Sequence, residues 1–281
     1  MSPANARKAG RAAPARGKRR TAPLDLVLAI LSAAVFAYLY LPVLVVILLS
    51  FNDSDLAVLP LRGLTLRWFG VLFQDRQVMA GLGNSVLLGL ATAAIALPLG
   101  VTLSYAMVRQ SGRARGALAS IVVLPMQTPR IILGVLLLIL FSAVGIPLSL
   151  FTVLLGHVVV ALPFVTLIVA ARLRNIDRAL EEAARDLGAS GFQIWLRILI
   201  PLLAPALLAA VLIAFTTSFD EMVVSYFTIG TESTLPVLIW SMVRYGYTQE
   251  INAIGALIIT STLVLALAAQ LLQAGRRSLR S

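Results

Sequence analysis

The chain has 281 residues, 59% hydrophobic and only 12% charged, with a mean hydropathy of +0.95, too little polar surface to cover a soluble domain of that length. Its formal net charge of +11 gathers at the ends of apolar runs, which is the pattern of membrane orientation and lipid contact and argues against a nucleic-acid partner. With no cysteine and one histidine, His157, disulfides, thiol chemistry and a Cys or His metal cluster are excluded.

Residues 1–23 are rich in Ala, Pro, Gly and basic residues (Arg7, Lys8, Arg11, Arg16, Lys18, Arg19 and Arg20) and carry no apolar period, so they read as a disordered basic tail. The run 24–50 exceeds the roughly 7–15 apolar residues of a cleaved signal and reads as a retained first transmembrane helix. Five more runs follow at 81–108, 118–141, 148–170, 202–224 and 251–273, with a basic tail over 271–281. None shows the alternation of barrel strands, and backbone in lipid must be bonded internally. The expected fold is therefore all-α and polytopic, with six transmembrane helices.

Eighteen basic residues fall in the head, the 109–117 loop, the 171–201 loop and the tail, against four in the loops of the other side. That asymmetry predicts both termini in the cytoplasm. The 51–80 loop, with Trp68, Phe69 and Phe73 among polar residues, reads as an interfacial segment. The short 142–147 turn predicts a tight hairpin of spans three and four. Gly81, Gly83, Gly89 and Gly100 are candidate helix-contact positions.

The charged loop 171–201 is the most informative segment. Asp177 can cap a helix start and Gly188 can supply the left-handed residue that ends one. Between them Leu180, Ala183, Ala184 and Leu187 share one face, and Glu181, Glu182, Arg185 and Asp186 another. Ser190-Gly-Phe-Gln193 reads as a capping box opening a second short helix with Ile194, Trp195, Leu196 and Ile198. Small residues on an exposed face, rimmed by both charge signs, make a docking surface for another protein; the plainer alternative is a solvated hairpin tying span four to span five.

Glu182-Ala-Ala, three residues, Gly188, nine residues, then Ile198-Leu-Ile-Pro201 resembles the EAA loop of bacterial ABC-importer permeases. Six positions over twenty residues match, with Ile200 a departure where Leu is usual. The resemblance covers about residues 80–270, leaving the first span and the basic head outside the shared domain. It implies a multi-pass inner-membrane subunit whose coupling helix docks on an ATPase through Glu182, Ala183, Ala184 and Gly188, with Ile198 and Pro201 completing the motif. It also implies two ATP-binding cassette subunits, a second permease subunit (expected to be a different chain) and an extracytoplasmic solute-binding protein. The chain itself has no phosphate-cradling G-x-x-x-x-G-K-[ST], so nucleotide chemistry belongs to a partner; no catalytic, cofactor or metal residue is expected here.

Asp220 and Glu221 lie about 27 Å along a regular span five, where charges are costly unless they face water or a partner. Together with Ser218 and Arg130 they are the candidate substrate-path residues. The plainer alternative is a pair of interfacial carboxylates. Ser218-Phe-Asp-Glu-Met-Val-Val-Ser, Thr234-Leu-Pro-Val-Leu-Ile-Trp-Ser-Met-Val-Arg-Tyr-Gly and Glu250-Ile-Asn-Ala resemble the spermidine/putrescine permease branch, in particular its second permease. Two acids commonly stand at these positions there, and carboxylates suit protonated amines. Arg130, about 18 Å into a regular span three, departs from that branch, in which an acid can stand there. It either pairs with a carboxylate on a neighbouring span or contacts an anionic solute. Pro125 and Pro129 are expected to interrupt that span.

His157 is mid-span; it can relay protons, but bonding to a neighbouring carbonyl is the simpler expectation. The rival to an ATP-driven importer is an ion-gradient transporter, which would need acids at mid-membrane rather than toward the outer face. An intramembrane enzyme lacks any Ser–His or His–acid constellation. Other solutes compatible with the resemblance are an opine or amino-acid derivative, thiamine, or an iron chelate.

Overall fold

A computed structural model describes residues 23–54, 61–246 and 249–278, with the side chains of residues 23, 24, 114 and 264–278 left aside. The basic head up to residue 22 and residues 279–281 lie outside the described residues. The described chain is helical, apart from loops and one isolated antiparallel bridge between Asn52 and Leu64.

Helix α1 (Pro23–Ser50) is apolar on every side and stands outside the core, its surface available to lipid, packing on the last helix through contacts such as Val46 against Gly255. After it the chain turns back on itself. Thr65 N donates to Phe51 O at 2.8 Å and the Trp68 indole to Asn52 O at 2.9 Å. That bond buries Trp68 at the start of α2 (Arg67–Gln74), so this aromatic anchors the loop internally; Phe73 of the same helix stays exposed.

Asp75 caps α3 (Arg76–Arg109), accepting from Gln77 N at 2.7 Å and Val78 N at 3.2 Å. At about 1.5 Å per residue its 34 residues are longer than the hydrocarbon core is thick. The third apolar run, expected to be interrupted at its prolines, is two helices, α4 (Arg113–Gln127) and α5 (Arg130–Val144), meeting at 104°. The cause is local: Pro129 removes a donor and holds Thr128 in extended backbone, ψ 126°. Gly145, at φ +74°, closes α5 as a left-handed cap.

A capping box of Ser149 and Thr152 opens α6 (Leu150–Arg174), the most buried of the long helices. The loop helix α7 (Ala179–Asp186) follows. Then α8 (Gly191–Ile194), a π-helical turn (Trp195–Leu199) and α9 (Ile200–Phe219) run as one 29-residue apolar helix. The second short loop helix is thus the N-terminal end of span five, and that span stops at Phe219 rather than at 224. The segment after α9 folds into α10 (Val223–Thr228) and α11 (Leu235–Tyr245), and α12 (Gln249–Ser278) follows.

The core is the triple contact of α3, α6 and α9, built from Ala93, Ala96, Ala161, Val165, Val169, Leu173, Leu203, Ala210 and Ala214. Small residues let the backbones approach, which is how helices associate where lipid offers no hydrophobic drive. A Cβ on Gly100 would lie 2.5 Å from Val165 Cγ1, and one on Gly89 2.7 Å from the Phe215 ring; Gly81 meets Leu235, whereas Gly83 meets nothing. The expected hairpin of spans three and four is wedged by α10: Phe227 packs on Gly134 of α5 and Val224 on Gly156 of α6. Four described helices are long and apolar enough to cross a membrane, five counting the bent α4–α5 pair.

Candidate functional site

Two regions collect the polar residues, one at each end of the α3–α6–α9 core.

At the loop end, Asp177 Oδ1 accepts from Ala179 N at 2.9 Å to start α7, and Gly188 adopts φ +84° to end it. Gly188 N bonds Arg185 O and Ala189 N bonds Ala184 O, both at 2.9 Å. Ser190 and Gln193 form the expected capping box. Leu180, Glu182, Ala183, Leu187 and Gly188 are exposed, and Ala184 is half-buried. Among the described residues Glu182 pairs with Arg178, just ahead of its helix, at 3.7 Å. Ile198 is half-buried within the π turn and Pro201 exposed just beyond it.

Glu181 breaks the expected pattern. Helical spacing sets it on the charged face with Glu182, yet only 2% of it is exposed. Its carboxylate meets the Arg109 guanidinium at 2.5 Å, receives the Tyr105 hydroxyl at 3.1 Å and lies 3.8 Å from Arg185. Burial of this charge is tolerable because cations and a donor converge on it. The signal in the sequence is a Tyr105/Arg109 pair one turn apart at the C-terminal end of α3, but nothing there says which loop residue they meet.

At the opposite end, α9 stops and the chain turns through Asp220 and Glu221 into α10. Ser225 Oγ donates to Glu221 O at 2.6 Å, so His157 Nε2, 2.7 Å away, donates to Ser225. In the neutral ring Nδ1 then accepts from Ser218 Oγ at 2.7 Å, and Ser218 accepts from Thr92 Oγ1 at 3.1 Å. One directed chain therefore links α3, α9, α6 and α10. His157 binds two hydroxyls, not the carbonyl expected of it. Ser218, expected along a solute path, is buried in this chain instead, because the histidine opposite draws its hydroxyl inward. Thr92 and Ser225 are participants the sequence reading did not single out.

Arg130, the first residue of α5, reaches Glu221 Oε2 at 3.4 Å, while Glu221 Oε1 caps α10 by accepting from Val224 N at 3.1 Å. The arginine is thus not part-way along a regular helix but at a break, paired with a carboxylate from another helix. Glu221 is nearly enclosed, and Arg130 keeps 34% of its side chain exposed. Asp220 parts from its neighbour. It borders a cleft of about 400 Å³ between α9, α11 and α12, with Thr216, Phe219, Pro236, Trp240 and Val243. The loop between α10 and α11 is pinned beside it by Asn84 Nδ2 on Ser233 O at 2.8 Å and Leu235 N on Ser85 Oγ at 2.9 Å. Among the described residues no group of three or more metal-ligating side chains occurs.

Comparison with known proteins gives a consistent result. Residues 96–275 match the model of the binding-protein-dependent transport system inner membrane component. The chain is 34% identical over 240 residues to the spermidine/putrescine transport system permease protein PotC of Escherichia coli (strain K12), covering 85% of this chain and 90% of that one. It is 37% identical over 233 residues to the putrescine transport system permease protein PotI of the same strain, covering 80% and 82%. In fold it is similar to a chain of a bacterial ABC transporter that imports the acidic polysaccharide alginate, with a TM-score of 0.69, 18% identity and coverage of 91% and 97%. It is also similar to a chain of the MetNI methionine ABC transporter, with a TM-score of 0.59, 23% identity and coverage of 74% and 97%. With its exposed inter-helix loop and its family match over most of its length, the chain belongs to the inner-membrane permease components of binding-protein-dependent ABC transport systems.

Proposed function

We propose that this chain is one of two permease subunits enclosing the solute path of an ATP-driven polyamine importer in a bacterial inner membrane. It crosses six times, with α12 as the sixth span and both termini cytoplasmic, as the basic-residue asymmetry requires. The second permease is a different chain, two ATP-binding cassette subunits lie on the cytoplasmic face, and a binding protein delivers solute from outside. The exposed small-residue face of α7 around Glu182, Ala183, Ala184 and Gly188 is the ATPase-docking surface, and Ile198 and Pro201 set the entry into α9. The likeness to relatives named for spermidine and putrescine supports the substrate.

The observation that carries the reading on this chain is Asp220: a carboxylate without an ion pair among the described residues, at the edge of a cleft with an aromatic wall. An ammonium group suits that setting, by charge-assisted hydrogen bonding and contact with the Trp240 ring face. Glu221 is occupied by Arg130 and contributes no free charge. Asp220→Asn in the full complex is expected to lower spermidine uptake at least about tenfold while ATPase docking persists, one charge-assisted bond being worth roughly 1.5–3 kcal/mol. Unchanged uptake removes the role. The exposed third of Arg130 favours a second reading, a carboxylate-bearing solute such as an opine or amino-acid derivative. Uptake of such a solute by the same complex, with none of polyamine, would select it.

A further inference from the structure

The two adjacent acids of α7 point in opposite senses. Glu182 is exposed beside Arg178, whereas Glu181 is turned into the protein. The buried carboxylate touches the last turn of α3 twice, through Arg109 at 2.5 Å and the Tyr105 hydroxyl at 3.1 Å. Arg109 Nη2 also donates to Ile176 O at 3.4 Å, in the turn between α6 and α7. The Tyr105 ring packs on Trp195, centroids 4.9 Å apart, and Trp195 opens the π-helical turn at the base of α9. A π turn inside a helix is a place where register and direction can shift.

We propose that Glu181 is a positioning residue that converts displacement of α7 into movement of α3 and α9, through Arg109 on one side and Tyr105–Trp195 on the other. This rests on the reading of α7 as the ATPase-docking helix. An eight-residue helix held to the core only by apolar contact could slide when pushed. A buried, charge-assisted clamp cannot lengthen without stranding a desolvated carboxylate. The strain is therefore passed on, to α3 and to the turn below α9. Thr92 stands midway along α3, and Ser218 at the far end of α9, where the chain leads into the Asp220 cleft, so the clamp links the two polar regions.

The test uses the full complex with its ATPase subunits in liposomes and needs no knowledge of the solute. The chain has no cysteine of its own, so Thr216→Cys or Val243→Cys places the sole thiol of this subunit in the cleft. Maleimide labelling of this subunit is compared between nucleotide-free and Mg-ATP–vanadate-trapped complexes. In the parent the labelling rate changes by at least about fivefold, the low end of typical coupling between sites. Glu181→Gln reduces the change to under about twofold while the complex still assembles and hydrolyses ATP at a rate close to the parent's. Arg109→Lys, which retains the charge, keeps part of the response. Tyr105→Phe, which removes one hydroxyl and keeps the ring on Trp195, decides the matter if Glu181→Gln does not assemble; it too must weaken the response. A full response in Glu181→Gln, or in Tyr105→Phe where Glu181→Gln does not assemble, or loss of hydrolysis in proportion to loss of response, overturns the clamp alone. A parent complex that shows no ATP-driven change at either position overturns the docking reading and the clamp with it.

Discussion

Both ring nitrogens of His157 are within 2.7 Å of a hydroxyl, and only 1% of the residue is exposed. A buried polar side chain in a membrane bundle needs all its partners on hand, and here two helices, α9 and α10, supply them. His157→Ala removes two hydrogen bonds, each worth about 1 kcal/mol in such a bundle, and leaves a cavity. The expected loss is about 2–4 kcal/mol, read as a lower Tm in detergent, with His157→Gln recovering part of it. Asp220 and Glu221 show how far one residue of sequence can separate two roles. Glu221 caps α10 and neutralises Arg130, while Asp220 is left at the cleft. Glu181 and Glu182 repeat the contrast at the other end of the core.

Helix contact depends on how near two backbones can come. Gly100 of α3 faces Val165 of α6 with no room for a methyl group, since a Cβ there would lie 2.5 Å from the valine Cγ1. Gly100→Ala is expected to cost about 1–3 kcal/mol by forcing α3 from α6. Val165→Ala in the same chain should restore much of it, and a double-mutant cycle on thermal stability measures that coupling. If the two losses simply add, the close approach is not what Gly100 provides. The bend between α4 and α5 belongs to the same scale. Pro129 and the extended Thr128 make it, and the bend puts Arg130 at a helix start facing Glu221.

At the scale of the whole molecule, the surface proposed for docking is the exposed face of α7. Ala183 is exposed there, so a larger charged side chain disturbs no internal contact. Ala183→Glu is expected to leave expression and Tm unchanged while reducing co-purification of the ATPase subunit at least about tenfold, because an unpaired charge placed in an interface core costs several kcal/mol. Retained co-purification would move the docking site off this face. The exposed flank of α1 and the outer surfaces of α5 and α9 are apolar over long stretches, which suits lipid or the second permease subunit.

The sequence by itself determined the class of molecule and the local form of its loop. Runs of apolar residues about 20 or more long have one stable form in lipid. The caps at Asp177, Gly188 and Ser190 act within four residues of themselves, so they could be read without knowing what surrounds them. Pro125 and Pro129 announced a broken span, although not its angle. Only the tertiary structure decided which polar residues meet. Arg109 lies 72 positions from Glu181, and His157 lies 61 and 68 from its two hydroxyl partners. Such pairings follow from how helices rotate and slide against one another to bury small residues. That geometry turned Glu181 and Ser218 inward and left Glu182 and Asp220 outside, although the sequence placed Glu181 with Glu182 on one helix face and Ser218 with Asp220 among the path candidates.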